Sequence, residues 1–202
     1  MPTFEVRDPL QPGFWTERFE QQFTPWDKGG VPAALQQFVT RHPGPRVALI
    51  PGCGSGYEVT FLSEAGWQVT AIDFSAAAVR SAENKLGPWA KRVVQADFFT
   101  FMPAQTPDFI YERAFLCALP RTAWPSIARR WAELLPTGGL LAGFFFFDAL
   151  PKGPPFGIVP AQLNALLTPF FERIEDVPVD DSIPVFAGKE RWQVWRRIAG
   201  KD

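Results

Sequence analysis

Histidine is almost absent from this chain, with one residue in 202, and cysteine occurs only twice. Two cysteines cannot build a disulfide framework or a metal cluster, so a reducing cytoplasm is expected and no metal. The lone histidine, His42, sits in Arg41-His-Pro-Gly44 and reads as an ordinary loop residue. Long apolar runs are missing as well. The longest, Leu140 to Phe147, falls far short of the ~20 residues a helix needs to span a bilayer. The start, Met1-Pro-Thr-Phe-Glu5, shows no basic-then-apolar leader pattern. Net charge is −1, and basic residues cluster no further than pairs such as Arg129-Arg130 and Arg196-Arg197. Neither nucleic acid nor a membrane surface is therefore an expected partner. Tyrosine is scarce, with 2 residues, whereas phenylalanine supplies 20 and tryptophan 8. Much of this surplus is core, but tryptophans near the N-terminus are candidates to line a pocket.

Two phosphate-binding signatures are also lacking. No G-x-x-x-x-G-K-[ST] occurs, and the dinucleotide pattern G-x-G-x-x-G fails in both frames, its last glycine falling on Tyr57 or Val59. What is present is Val47-Ala-Leu-Ile-Pro-Gly-Cys-Gly-Ser-Gly-Tyr57, an apolar run ending in three alternating glycines before a helix-like segment. Glycines let the backbone turn sharply and approach a ligand closely. A second apolar run, Val69-Thr-Ala-Ile-Asp73, ends in an acid suited to accept hydrogen bonds from a ribose diol. Together they describe a nucleoside-shaped pocket at the carboxyl ends of two parallel strands.

From Val47 onward strands and helices alternate, the signature of a parallel sheet covered on both faces. Strands are expected at Val47 to Pro51, Trp67 to Ile72, Val93 to Gln95, Phe109 to Glu112 and Leu140 to Phe147. Helices are expected at Tyr57 to Ala65, from a Ser75 cap to Leu86, and at Trp124 to Leu135. Asp148 to Pro160 holds too much proline and glycine for regular structure. A short helix, Ala161 to Leu167, then precedes two strand-like runs, Phe170 to Val177 and Arg191 to Ile198, read as an antiparallel hairpin at the sheet edge. The expected fold is α/β: a seven-stranded, mostly parallel Rossmann-like sheet with helices on both faces and an antiparallel C-terminal edge. Residues 1–202 read as one domain, with 1–45 an N-terminal helical lid and 46–202 the core. The helical pieces between Phe14 and Thr40 break at Thr24-Pro25-Trp26-Asp27.

The glycine-loop pattern resembles that of class I S-adenosylmethionine-dependent methyltransferases. Over Phe14 to Ile198 the chain is similar, more specifically, to the thiopurine S-methyltransferase superfamily and its thiol and halide methyltransferase branch. The resemblance rests on Phe14-Trp15, Thr24-Pro-Trp-Asp-Lys-Gly29, Val47 to Tyr57, Ile72-Asp-Phe-Ser75, Ala96-Asp-Phe-Phe-Thr100, Glu112-Arg-Ala-Phe-Leu-Cys-Ala-Leu119 and Gly153-Pro-Pro-Phe156. It implies an enzyme that uses S-adenosylmethionine, releases S-adenosylhomocysteine and methylates a small molecule: a thiol, a thiopurine or a halide; a monomer is the default expectation. An oxygen, nitrogen or metalloid acceptor, and a module that binds the cofactor without catalysis, are the alternatives. Carried over by position, the cofactor contacts are Trp15, Phe19 and Trp26 from the lid, Gly52, Gly54, Asp73, Ala96, Asp97 and Arg113. Phe19 stands where relatives commonly carry tryptophan, and Arg113 resembles the thiopurine enzymes.

Methyl transfer from a sulfonium is an in-line displacement, which asks for alignment and exclusion of water. A thiol needs little help from a base and a halide none, which suits a chain so poor in histidine. The rings of Trp15 and Trp26 are suited to hold the cationic sulfonium, with Trp26 also facing the acceptor. Arg113 is the catalytic candidate, either pairing with the cofactor carboxylate or attracting an anionic or thiolate substrate. Its replacement by alanine is expected to lower turnover much more than stability. Phe156 is expected to wall the acceptor pocket. Cys53 and Cys117 have no histidine nearby and read as small buried hydrophobes.

Overall fold

A computed structural model describes residues 2–200. Its seven strands are β1 (Val47–Pro51), β2 (Gln68–Asp73), β3 (Val93–Gln95), β4 (Phe109–Arg113), β5 (Leu140–Phe146), β6 (Phe171–Pro178) and β7 (Glu190–Arg197). They form one sheet in the order β3-β2-β1-β4-β5-β7-β6. The first five are parallel neighbours, and β7 runs antiparallel between β5 and β6. The hairpin therefore does form one end of the sheet, with β3 at the opposite edge and β6 as the edge at the hairpin. That edge carries Glu172, Arg173, Glu175 and Asp176 and a bulge between Arg173 and Glu175, charges and irregularity that discourage further strand addition.

All seven residues of β5, Leu-Leu-Ala-Gly-Phe-Phe-Phe, are buried, because helices cover both sheet faces. One face packs on α2 (Ala33–Arg41), α3 (Tyr57–Glu64) and α4 (Ala76–Leu86) through Leu35, Phe38, Val59, Leu62, Ala82 and Leu86. The other packs on α5 (Trp124–Leu134) and α6 (Pro160–Leu167) through Ile127, Trp131, Leu163 and Leu167. Each large apolar side chain so buried contributes about 1.5–3 kcal/mol. The alternation of β4 sorts its residues: Phe109 and Tyr111 face the first layer and Ile110 the second. A Cβ on Gly143 would stand 1.9 Å from the Glu112 carbonyl oxygen, so only glycine lets β5 lie this close to β4.

The boundaries differ from the sequence reading by a residue or two. β2 takes in Asp73, β4 takes in Arg113, and β5 stops at Phe146, with Phe147 bridging Ile158 in parallel. The N-terminal segment supplies α1 (Pro12–Glu20) and α2, separated by the Thr24–Asp27 region. Pro12 opens α1 with its fixed φ, and Gln22 at φ 53 follows its end. α1 lies on α4, tied by Thr16 Oγ1 to Ser75 Oγ at 3.0 Å and by the exposed Arg80–Glu20 pair.

Candidate active site

The carboxyl ends of β1, β2 and β4 open under α1 into a cavity of about 490 Å³, within the range of small-molecule sites. On its β1–β2 side the glycine loop turns through Gly52, Gly54 and Gly56, all at positive φ between 52° and 71°. A Cβ on Gly52 would come within 2.6 Å of the Phe115 ring. Asp73, at the end of β2, is 8 % exposed, and its carboxylate accepts the N–H of Gly54 (3.2 Å) and of Ser75 (2.9 Å). Burial raises its pKa to about 6, although those amides pull the other way. The Asp73 carbonyl accepts the Ala96 N–H, which brings Ala96 and Asp97 to the cavity wall. Asp97 accepts the Phe99 N–H at 2.9 Å in a turn.

The β4 side is different. Arg113 ends the strand, and Ala114 follows at φ 55, a left-handed turn that costs an alanine about 1–2 kcal/mol. The guanidinium lies 4.3 Å from the Phe144 ring centre, and its Nη1 is 3.3 Å from Glu190 Oε1 on β7. Glu190 is buried and Arg113 largely so, with 3 % and 13 % of their side chains exposed. Close as the pair is, its hydrogens point elsewhere, and neither terminal nitrogen donates a hydrogen bond to any described residue. Glu190 instead accepts the Ser182 hydroxyl at 2.6 Å. Two further carboxylates are buried here. Glu112 accepts the Leu116 and Phe115 N–H groups, and burial pushes its pKa up to about 7. Glu58, in the first turn of α3, lines the cavity and accepts the Tyr111 hydroxyl at 3.3 Å; burial raises its pKa too.

Trp15, Phe19 and Trp26 roof the cavity. Trp26 meets Trp15 edge-on at 5.4 Å and Phe19 at 6.1 Å, and Trp15 donates its ring N–H to the Pro9 carbonyl. Beside Trp26, Asp27 accepts the Ser55 hydroxyl at 2.6 Å, and Lys85 donates to Ser55 at 3.0 Å. The roof is thus bolted to the glycine loop. Lys28 pairs with Asp181, ahead of β7, at 2.6 Å.

The cavity gathers Trp15, Phe19, Trp26, Gly52, Gly54, Asp73, Ala96, Asp97 and Arg113. Phe156 is the exception. Its ring folds back over Gly153, where a Cβ would meet it at 2.4 Å, and packs on the second apolar layer, so Pro154 and Pro155 form the wall instead. Sequence reasoning missed Glu58, Tyr111, Glu190 and the Asp27–Ser55 contact. An acid beside Val59 and Leu62 on the buried stripe of α3 was a readable sign for Glu58; the others are joined only by the fold. Cys53 and Cys117 also line the cavity, and burial raises both thiols well above their ordinary pKa, which keeps them protonated. His42 stacks on Phe38 at 4.2 Å, outside the cavity. The described residues contain no His, Cys, Asp or Glu cluster arranged to hold a metal, and no helix long and apolar enough to cross a membrane.

The sequence profile described as thiopurine S-methyltransferase (TPMT) matches residues 10–198. A probable thiol methyltransferase 2 from Arabidopsis thaliana is 32% identical over 192 residues, covering 92% of this chain and 85% of that one. Thiocyanate methyltransferase 1 from the same plant is 29% identical, covering 94% and 86%. Among solved structures, the 1,6-didemethyltoxoflavin-N1-methyltransferase of Burkholderia thailandensis, with S-adenosylhomocysteine bound, superposes with a TM-score of 0.75. It covers 98% of this chain and 94% of that one at 17% identity, a likeness of fold.

Proposed function

This chain belongs to the thiopurine S-methyltransferase family and is an S-adenosylmethionine-dependent S-methyltransferase, and we propose that the roofed cavity is where it binds cofactor and acceptor. The cofactor supplies an electrophilic methyl group on a sulfonium. The residues present fit it. Asp73 is a buried carboxylate at the cavity wall suited to two ribose hydroxyls, and the glycines leave the backbone bare beside it. Ala96 and Asp97 would flank the adenine. Trp15, Phe19 and Trp26 would present ring faces to the cation and keep water away.

The observation that carries the reading of the acceptor side is Arg113. A guanidinium with two buried nitrogens that donate to no described residue is costly, and an anionic ligand group relieves that cost. Arg113 therefore serves either the cofactor carboxylate or a thiolate-like acceptor. The favoured acceptors are small soft nucleophiles, first thiols, then thiocyanate and halides, in keeping with the largely apolar lining; the plant relatives are named for thiol and thiocyanate. Residues 1–45 act as the lid of a single catalytic unit. The protein is read as a cytoplasmic monomer, with two free buried cysteines fitting a reducing compartment.

Radiolabelled S-adenosylmethionine with an alkanethiol, a thiopurine, thiocyanate and iodide tests this. Labelled methyl thioether is expected, with turnover on sulfur exceeding that on iodide. Transfer only to oxygen or nitrogen acceptors would reject the proposed acceptor class.

A further inference from the structure

We propose that Glu58, held by the Tyr111 hydroxyl at the cavity wall, takes the proton from neutral thiol acceptors, so that the site methylates thiols that are not ionised in solution. This inference rests on the S-methyltransferase reading of the same cavity. The chain's scarcity of histidine suggests that no base is provided, yet the fold brings one in from α3. Glu58 is 8 % exposed and lines the cavity together with Tyr111 and Arg113. Its Oε1 accepts the Tyr111 hydroxyl at 3.3 Å, and its own backbone N–H also favours the carboxylate. A carboxylate has about four lone-pair sites, so one with these two donors keeps room for an incoming proton.

The charged and titratable groups facing Glu58 are Tyr111 and Arg113 from β4, Asp27 from the roof and Cys53 from the glycine loop. Tyr111 is held well above its ordinary pKa, first by burial and then by the Glu58 charge, so it donates a hydrogen bond and keeps its proton. Burial also raises the Glu58 pKa, which makes its carboxylate a stronger proton acceptor than an exposed one. Arg113 favours the thiolate as it forms. In the reaction the thiol gives its proton to a Glu58 oxygen, and the freed sulfur pair bonds the methyl carbon. The methyl–sulfonium bond breaks, leaving its electron pair on the departing thioether sulfur. Glu58 then returns the proton to water.

Two classes of acceptor separate this role from a structural one. An alkanethiol arrives protonated, whereas 4-nitrothiophenol and thiocyanate arrive as anions with no proton to lose. Glu58→Gln is expected to lower kcat/KM for the alkanethiol by about 10²-fold while changing it by less than about threefold for the two anions. Calorimetric affinity for S-adenosylhomocysteine and melting temperature should stay close to wild type, and Glu58→Asp should recover part of the lost thiol activity. Equal losses on all three acceptors, weakened S-adenosylhomocysteine binding that accounts for the loss, or an unchanged alkanethiol rate would each overturn the proposal. If Glu58→Gln does not fold, Glu58→Asp and Tyr111→Phe carry the test: the ratio of alkanethiol to anion turnover must fall in both. A wild-type protein inactive on every sulfur acceptor would instead reject the function on which the proposal stands.

Discussion

The two sides of the cavity are built by different means. On the β1–β2 side the groups are backbone and neighbours in sequence: Gly52 and Gly54 in one loop, and Asp73 tied to Ser75 two residues on. On the β4–β7 side Glu112 bonds locally to Phe115 and Leu116, but the contacts that gather the other charged groups are long-range. Tyr111 meets Glu58 across 53 positions, and Arg113 on β4 meets Glu190 on β7. The first side is a local motif that any strand–turn–helix can carry. The second exists only once the whole sheet has closed, so damage there should reach the fold as well as the chemistry.

The sharpest test of that contrast is Arg113→Ala. The expectation from sequence was a loss of turnover with little loss of stability. The buried pairing alters it, because truncation leaves Glu190, and Glu112 nearby, without their nearest positive charge. Removing one partner of a buried pair costs about 3–5 kcal/mol. Denaturant unfolding of the ligand-free variant is expected to show a loss of that size together with loss of turnover. Arg113→Lys should retain much of the stability but not the planar two-nitrogen geometry. A stable Arg113→Ala protein would mean that the two sides are not built so differently.

Asp73→Asn is the matching probe on the local side. Hydrogen bonds to a charged acceptor are worth about 1.5–3 kcal/mol, so S-adenosylhomocysteine affinity should fall roughly 10- to 100-fold by calorimetry. Stability should not fall with it, and pH gives the sign. Asp73 titrates at about 6 when folded, against an ordinary 3.8, so the folded state holds the extra proton between those values. Its contribution to ligand-free stability therefore grows as pH falls through about 6 and is lost as pH rises above it. Cofactor affinity should run the opposite way, because ribose hydroxyls donate best to the ionised acid: it should decline below pH 6, by up to about tenfold per unit. Asp73→Asn should flatten both profiles.

The same division explains how much was legible in the sequence. The glycine triplet, Asp73 and the succession of parallel strands along the chain are set by local turn geometry and strand–helix alternation, and the sequence carries those directly. Trp15 and Trp26 were placed through resemblance, since nothing local dictates which cavity a lid aromatic covers. Phe156 was misplaced because ring direction depends on the Gly153 backbone it folds against. Glu58 was overlooked because an acid in the first turn of a helix is ordinarily a favourable dipole partner; its place on the buried stripe was a sign, but its partner Tyr111 lies on a distant strand.

The smallest expected effect lies where the glycine loop of the local side is joined to the roof. Ser55 belongs to the local glycine loop, yet its hydroxyl donates to Asp27 in the roof and accepts from Lys85 on α4. Ser55→Ala deletes both contacts without touching the cavity's apolar walls. Asp27 still accepts the Gly29 N–H at 2.7 Å, and Lys85 still reaches the Tyr57 hydroxyl, so neither charge is stranded and global stability should change little. The roof, however, loses a hydrogen bond worth about 1 kcal/mol. Amide exchange in α1 and the Trp26 region should quicken, and S-adenosylhomocysteine should bind roughly fivefold more weakly, mainly through faster release. Arg113→Ala should instead loosen β4, β5 and β7 and leave the roof's exchange to follow global unfolding. If Ser55→Ala weakens binding without any faster exchange in the roof, the loop would be acting on the ligand itself, and the bolt between the glycine loop and the roof would carry no energy.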